Sequence, residues 1–320
     1  MDSEGVNTMA KKYISEFQAR DSIDEVFYVS SKRVQNYKSK PGCFLHLVLS
    51  DRTGTIGSKL WDFTPEHLDI PEKSFIRCAG EVVEFADSLE IHIQSYVPVD
   101  KGAVDPRDFL PVTPLDIREM QREICNTALE LENRHLKNLL SRFVQDEDLF
   151  HRFCECPAAK TMHQAYVGGL LEHSLRTAKI VEKIAELYPA VNRELAVTGA
   201  LLHDIGKIGE YDFDYSVEIT DEGRLLGHIV LGLQILDSLI GRIPDFPDEL
   251  RLALYHIVTS HHGRYEWQSP KRPKTIEACL VHYADAMEAD LWKFSSLKDK
   301  HEGESWSPWE RSLERFVYLK

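Results

Sequence analysis

Cysteine is scarce in this chain of 320 residues, and the six present form no pairing pattern. Cys43, Cys78, Cys125 and Cys279 stand alone. Cys154-Glu155-Cys156 leaves one residue where a zinc knuckle needs two to four, and no second pair exists. A disulfide framework and a cysteine-built zinc module are both excluded, and the thiols read as reduced. Long hydrophobic runs are missing too, since none approaches the roughly 18 residues of a membrane span. Residues 1–18 are polar and mixed in charge, with neither the apolar stretch of a signal peptide nor the Arg-rich bias of a transit peptide. The expectation is a cytoplasmic protein with no membrane partner. Positive charge is in deficit: 38 Lys and Arg face 52 Asp and Glu, for a net charge of -14. That argues against indiscriminate nucleic-acid binding over the whole surface, but leaves room for a local basic groove or for bound divalent cations. Internal repeats and low-complexity tracts are absent.

The hydrophobic pattern changes period partway along the chain. Between residues 21 and 100, short segments rich in β-branched and aromatic residues read as strands: 26–29, 44–49, 55–61, 75–85 and 89–93. Turn signals separate them, at Lys40-Pro41-Gly42, Asp51-Arg52-Thr53-Gly54 and Ala86-Asp87-Ser88. About five strands in about 80 residues suit a small closed barrel of the OB type. Pro98, Pro106, Pro111 and Pro114 then predict an extended linker over 101–115. Beyond it Ile117, Met120, Ile124, Leu129, Leu131, Leu136, Leu139 and Leu140 recur at mostly helical spacing, with Thr113 as an N-cap and Pro114 in the first turn. Further helices are predicted over 145–155, 157–164, 168–188, 192–205, 224–241, 247–260 and 275–295. The expectation is an α+β, two-domain chain: an N-terminal five-stranded OB-type barrel over 1–100, a linker over 101–115 and an all-α helical bundle over 116–320.

Within the helical part, Leu201-Leu202-His203-Asp204-Ile205-Gly206-Lys207 places an adjacent His-Asp pair inside an apolar run. Burying an imidazole beside a carboxylate without a partner is costly, and one cation satisfies both. Other polar side chains capable of ligation flank it: His173, His228, His261, His262 and Asp285. Each alone reads as well as a satisfied core residue. Together they give the order His, His-Asp, His, His-His, Asp on successive helical segments. Lys207 falls one turn beyond the pair, where an ammonium group can hold a phosphate oxygen or protonate a leaving alkoxide, or simply neutralise Asp204 at the surface. Gly206 either admits a close neighbour or ends the helix.

This series resembles the HD-domain phosphohydrolase superfamily. The resemblance implies one metal held by His173, His203, Asp204 and Asp285, and a second held with His228 and one or both of His261 and His262. It implies a divalent cofactor, two ions, with manganese foremost and iron, magnesium, zinc or cobalt as alternatives. Nitrogen-rich ligation favours a transition metal over magnesium. Two cations stabilise a bridging hydroxide and neutralise phosphate, with Asp204 as the bridging ligand, so Asp204 and Lys207 are the catalytic candidates. No Gly-Tyr-Pro follows His262, which sets the chain apart from cyclic-di-nucleotide phosphodiesterases, and no second domain of a ppGpp synthetase-hydrolase is visible.

The barrel narrows the choice. Residues 26–65 hold six basic residues (Lys32, Arg33, Lys38, Lys40, Arg52 and Lys59) against two acidic ones (Asp51 and Asp62), interleaved with aromatics. Single strands bind such surfaces by base stacking and phosphate tracking. Lys32, Arg33, Tyr37, Lys38, Lys40, Lys59 and Trp61 are the candidate nucleic-acid contacts, with Tyr37 and Trp61 expected to be the more exposed aromatics. A barrel followed by an HD domain resembles the YhaM family of bacterial 3'→5' exoribonucleases, through Gly168-Gly169-Leu170-Leu171-Glu172-His173, 202–207 and 260–278. The resemblance implies capture of single-stranded RNA or DNA by the barrel and release of nucleoside 5'-monophosphates. His163 lies in a family-like segment and is a candidate phosphate contact. Two other readings stay open: a phosphohydrolase of small or cyclic nucleotides, and a non-catalytic single-strand-binding, replication-associated factor. Apolar residues such as Phe316-Val317-Tyr318-Leu319 also permit a homo-oligomer.

Overall fold

The computed structural model describes residues 11–320 apart from 38–40, 62–63, 65–69, 86–87, 161–163 and 214. Lys38, Lys40 and His163 lie outside the described residues. The chain divides into two compact units. One runs to Pro111 and includes residues 214–216; the other comprises 112–213 and 217–320.

The first unit is a closed barrel in the order β1-β2-β3-β5-β4, formed by β1 (Ser22–Asn36), β2 (Cys43–Asp51), β3 (Gly54–Leu60), β4 (Phe75–Phe85) and β5 (Ser88–Val99). All pairings are antiparallel except β3 with β5. This is the OB arrangement, and it leaves no open sheet edge. Period-2 alternation sends Phe27, Val29, Leu45, Leu47, Leu49, Ile76 and Ile91 into one core. The strand β1 is far longer than its apolar stretch, because it serves two neighbours in turn: Ser22–Tyr28 pairs with β4, and Tyr28–Asn36 with β2 past a register shift between Val29 and Ser31.

The stretch 101–115, expected as an extended linker, is instead folded. Asp100 and Asp105 cap short 3-10 turns at Lys101–Ala103 and Pro106–Asp108. Phe109 then buries its ring against Phe75, with centroids 4.7 Å apart. The prolines stop longer helices here, but the aspartates supply the turns.

The second unit is helical: α1 (Ile117–Glu130), α2 (Arg134–Gln145), α3 (Glu147–Glu155), α4 (Gly169–Ala185), α5 (Arg193–Leu202), a single-turn α6 (Lys207–Glu210), α7 (Asp221–Gly241), α8 (Asp248–Ser260) and α9 (Ile276–Lys300). A two-residue hairpin, Tyr211–Asp212 with Glu218–Ile219, separates α6 from α7. The cap of α1 is Asp116, which accepts from the Arg118 and Glu119 amides, and not Thr113. The Thr113 hydroxyl donates to the buried Glu172 carboxylate at 2.6 Å. The helix expected over 157–164 does not form among its described residues. Its neighbours join α3 directly to α4: Gly168 N donates to Glu155 O, and Leu170 N to Cys156 O. These bonds satisfy the last carbonyls of one helix with the first amides of the next.

By length and composition α7 could cross a membrane. It kinks at Gly227, and among its buried residues are Ile229, Leu231, Leu236 and Leu239, which make it a core helix of this unit.

Candidate metal centre

Three structural devices bring the central residues together. First, α5 ends at Leu202, and a tight turn follows in which Ile205 N donates to Leu202 O and Lys207 N to Asp204 O. His203 and Asp204 therefore leave the helix end side by side, both buried. Second, α7 crosses this turn at backbone contact. A Cβ on Gly206 would lie 1.9 Å from His228 O and 2.4 Å from Gly232 N, so only glycine fits there. The glycine serves close approach, and the crossing delivers His228. Third, α8 ends at Ser260 and hands His261 and His262 to the same point. The Gly263 that follows has φ +75°, and a Cβ there would strike the His282 ring at 2.2 Å. The His282 ring occupies that space and donates from Nδ1 to His261 O at 2.6 Å.

The imidazoles share one orientation logic. His203 Nδ1 donates to Ala200 O at 2.7 Å, His261 Nδ1 to Val258 O at 2.8 Å and His262 Nδ1 to Trp267 O at 2.8 Å. A carbonyl only accepts, so each Nδ1 carries its proton and leaves Nε2 with a lone pair. His173 Nδ1 is held by Glu288 at 2.6 Å and His228 Nδ1 by Glu210 at 3.1 Å. Partners of this kind fix the tautomer of metal-binding histidines.

The Nε2 atoms of four of these histidines gather around Asp204. Its Oδ2 lies 3.3 Å from His203 Nε2 and 3.7 Å from His173 Nε2. Its Oδ1 lies 3.4 Å from His261 Nε2 and 3.6 Å from His228 Nε2. Asp285 joins the first group, with Oδ1 3.2 Å from His173 Nε2 and 3.8 Å from His203 Nε2. Two sets have ligand atoms within 4.8 Å of one another: His173, His203 and Asp204, and His228, His261 and His262. One carboxylate thus faces two histidine clusters, one through each oxygen.

The donor set fits cations on a second count. Asp204 Oδ1, His228 Nε2 and His261 Nε2 are buried without a hydrogen-bond partner. Each such atom costs about 1–3 kcal/mol unless something compensates it. Three of them close together are atoms that could hold a metal ion. Burial alone would raise the Asp204 carboxyl, but Lys207, His203 and His261 outweigh it and hold the group well below the ordinary range. Burial pushes the His262 imidazole down to about 3, with His261 and His228 adding to the effect, so it is neutral and free to ligate. Burial would also lower His173, yet Asp285 and Glu288 carry it up to about 9. The two carboxylates therefore call for positive charge at His173 Nε2, which a proton or a metal ion can supply.

Lys207 Nζ donates to Asp204 Oδ2 at 2.5 Å. Burial would lower this ammonium, but Asp204 overcompensates and lifts it above its ordinary value. That favours Lys207 as a fixed positive charge over a proton donor. It lines an open cleft of about 670 Å³ together with Asp204, His261, His262 and Asp285.

The sequence reading missed Glu288, Glu210 and His282. The i,i+3 spacing of Asp285 with Glu288 and of Lys207 with Glu210 was the available signal, since such pairs share a helix face. Replacing Glu288 with Gln removes the charge behind His173. Metal affinity should fall about 10- to 100-fold, read by manganese titration, with the fold intact by circular dichroism. An unchanged affinity would show that Glu288 only fills space.

On the barrel, the candidate strand contacts divide. Tyr37 and Trp61 stack at 5.8 Å and 11°, both half-buried, and Tyr37 Oη donates to Trp61 O at 2.9 Å. Lys59 pairs with Glu90 at 2.7 Å and lies 5.4 Å over the Trp61 ring. Lys32 Nζ donates to Ile70 O at 2.6 Å, while Arg33 is exposed. Trp61 and His92 line a second cavity of about 560 Å³. Tyr37 and Trp61, expected to be the freer rings, share one stack because each shields the other.

Residues 170–290 match the profile of the family described as HD domain. Among solved structures, the second OB-fold domain of replication protein A from Methanococcus maripaludis is 22% identical, covering 30% of this chain and 100% of that one, at a TM-score of 0.25. The HD domain of the L. monocytogenes phosphodiesterase PgpH is 21% identical, covering 46% of this chain and 74% of that one, at a TM-score of 0.30. The helical unit therefore carries the HD-domain match, and it follows an OB-type barrel along the chain.

Proposed function

We propose that the protein is a metal-dependent 3'→5' exonuclease of the YhaM type. It hydrolyses single-stranded RNA, with DNA as a second substrate, and releases nucleoside 5'-monophosphates. The carrying observation is Asp204, whose two oxygens face two separate histidine clusters. His173, His203, Asp204 and Asp285 would hold one cation, and His228, His261 and His262 would share the other with Asp204. When bound, such a pair supplies hydroxide at neutral pH and offsets phosphate charge. Manganese is the first choice, because the ligands are mostly nitrogen.

The chain's own residues do the rest. The Nδ1 bonds hold the five imidazoles in place before any substrate arrives. Lys207 keeps its charge beside Asp204 and offers it to a phosphate oxygen in the cleft. The barrel supplies stacked aromatics and exposed Arg33, features that suit capture of an unpaired strand.

The test is incubation of 5'-labelled single-stranded RNA and matched DNA with the protein across manganese, magnesium, zinc and cobalt. A ladder shortening from the 3' end, with 5'-monophosphates as product, is expected. Turnover of nucleotides or cyclic nucleotides with intact strands would replace this reading with a small-ester phosphohydrolase. An intact strand and intact esters in every metal would leave only a binding role.

A further inference from the structure

Resting on the nuclease reading and extending it, we infer that the C-terminal hook, with its tip at Arg311–Arg315, is a strand-binding wall of the hydrolytic cleft. Together with Arg264, it holds phosphates of the substrate beyond the one being cleaved.

The hook is a built element. After α9 the chain doubles back, with bridges pairing Trp306 with Tyr318 and Glu310 with Arg315. Ser307 N donates to Val317 O at 2.9 Å, and Leu319 N to Ser305 O at 3.0 Å. Leu313, Val317 and Leu319 are buried and pack with Leu297 of α9, while Phe316 and Tyr318 point outward. This alternation explains why so apolar a stretch ends in a fixed turn. The turn is tied internally: Glu310 accepts from the Ser312 amide and hydroxyl, and Arg315 Nε donates to Leu313 O at 2.7 Å. The tip lines the same cleft as Asp204, His261 and Asp285. It also lies beyond the 170–290 match to the HD profile, so that match assigns it nothing.

The charge on this wall is out of keeping with a chain of net charge -14. Arg264, Lys293, Arg311 and Arg315 line the cleft against Asp290 and Glu314, which leaves an excess of two positive charges on this side. Lys293 is paired with Asp290 at 3.0 Å. No ion pair among the described residues takes Arg264, Arg311 or Arg315. Arg264 lies 4.7 Å over the ring of Trp267, which is itself half-exposed at the cleft. A small ester brings one phosphate, and the metal ligands with Lys207 already provide for it. Three more guanidinium groups are in excess unless further phosphates enter. Guanidinium forks match phosphate oxygens in pairs, and an aromatic ring under an arginine offers a stacking face for a base. A polynucleotide strand meets both requirements; a mononucleotide meets neither in full.

The experiment compares the wild-type protein, the Arg311→Ala/Arg315→Ala variant and the Arg311→Lys/Arg315→Lys variant. Each is assayed with manganese on a single-stranded RNA 12-mer and on bis(p-nitrophenyl) phosphate, which has one phosphate and no strand. In the alanine variant the strand-to-ester ratio of kcat/KM should fall about tenfold or more, through KM. The slope of log KM against log salt on the strand should become shallower by about 1.4, at roughly 0.7 for each strand phosphate left without a cationic partner. The lysine variant should recover most of the salt slope and only part of the ratio, since it keeps charge without the fork. A parallel loss on both substrates would assign the hook a structural role and overturn the inference. So would a strand-to-ester ratio and salt slope equal to wild type. A wild-type protein that turns over the ester and leaves the strand intact would end the nuclease reading, and the inference with it.

Discussion

Asp204→Asn should abolish hydrolysis, by at least roughly 10³-fold in kcat on any phosphodiester, while leaving single-strand affinity largely unchanged. The reasoning is electronic and local. In the native protein each Asp204 oxygen faces its own histidine cluster, and Oδ1 has no other partner. The amide keeps the shape but turns one oxygen into a donor with no lone pair to give. On the two-cation reading, one site would therefore lose a ligand and gain a repelling N–H. The other keeps a neutral oxygen in place of a shared negative charge. Lys207 also loses its counter-charge, which turns a paired buried ammonium into an uncompensated one. Melting temperature should be measured alongside activity, so that loss of fold is told apart from loss of chemistry. Bound manganese should fall from two equivalents to one or fewer. Full activity with two equivalents bound would remove Asp204 from the bridging position. Strand affinity, which the proposed reading gives to the barrel and the hook and not to Asp204, should stay within about threefold, a margin of under 1 kcal/mol.

The division between barrel and bundle was legible because it is a change of period, and period survives in a single sequence. Val26 to Val29 and Phe44 to Leu49 alternate or cluster as strands do; Ile117, Met120 and Ile124 step as a helix does. Boundaries were less legible where two polar residues compete for one cap. Thr113 and Asp116 both suit an N-cap, and the choice fell to Asp116 because Glu172, distant in sequence, takes the Thr113 hydroxyl. The same limit hid the partners of the histidines. His203 beside Asp204 in an apolar run advertises its own cost of burial. Glu288 and Glu210 look like ordinary helix-surface carboxylates until the packing turns them inward. The hook was least legible of all. Its apolar residues suggested an exposed patch, yet the alternation of Val317 and Leu319 inward with Phe316 and Tyr318 outward shows that half of them are core.

On the two-cation reading, Gly206→Ala should cost one of the two ions and at least about a hundredfold in activity, through one methyl group on a residue that ligates nothing itself. An added Cβ would sit 1.9 Å from His228 O and 2.4 Å from Gly232 N. An ordinary contact needs about 3.5 Å, so roughly 1.6 Å must come from the backbone of α7 or of the His203-Asp204 turn. Neither is a flexible side chain that can swing aside. If α7 retreats, His228 Nε2 leaves its position 3.6 Å from Asp204 Oδ1, and the cluster with His261 and His262 opens. If the turn retreats, Asp204 shifts relative to both clusters at once. The stability loss should be about 1–3 kcal/mol, the usual range for overpacking. That loss is too small to unfold a helical unit of this size outright, so metal content remains measurable. Gly241→Ala is the matched control. It ends α7, the helix that crosses Gly206, and an added Cβ meets nothing within 4 Å. It should hold wild-type activity and gain a few tenths of a kcal/mol from reduced chain entropy. Elemental analysis of the two variants after identical manganese loading decides the matter. Two equivalents and normal turnover in Gly206→Ala would show that the crossing has slack, and that His228 does not depend on it for placement.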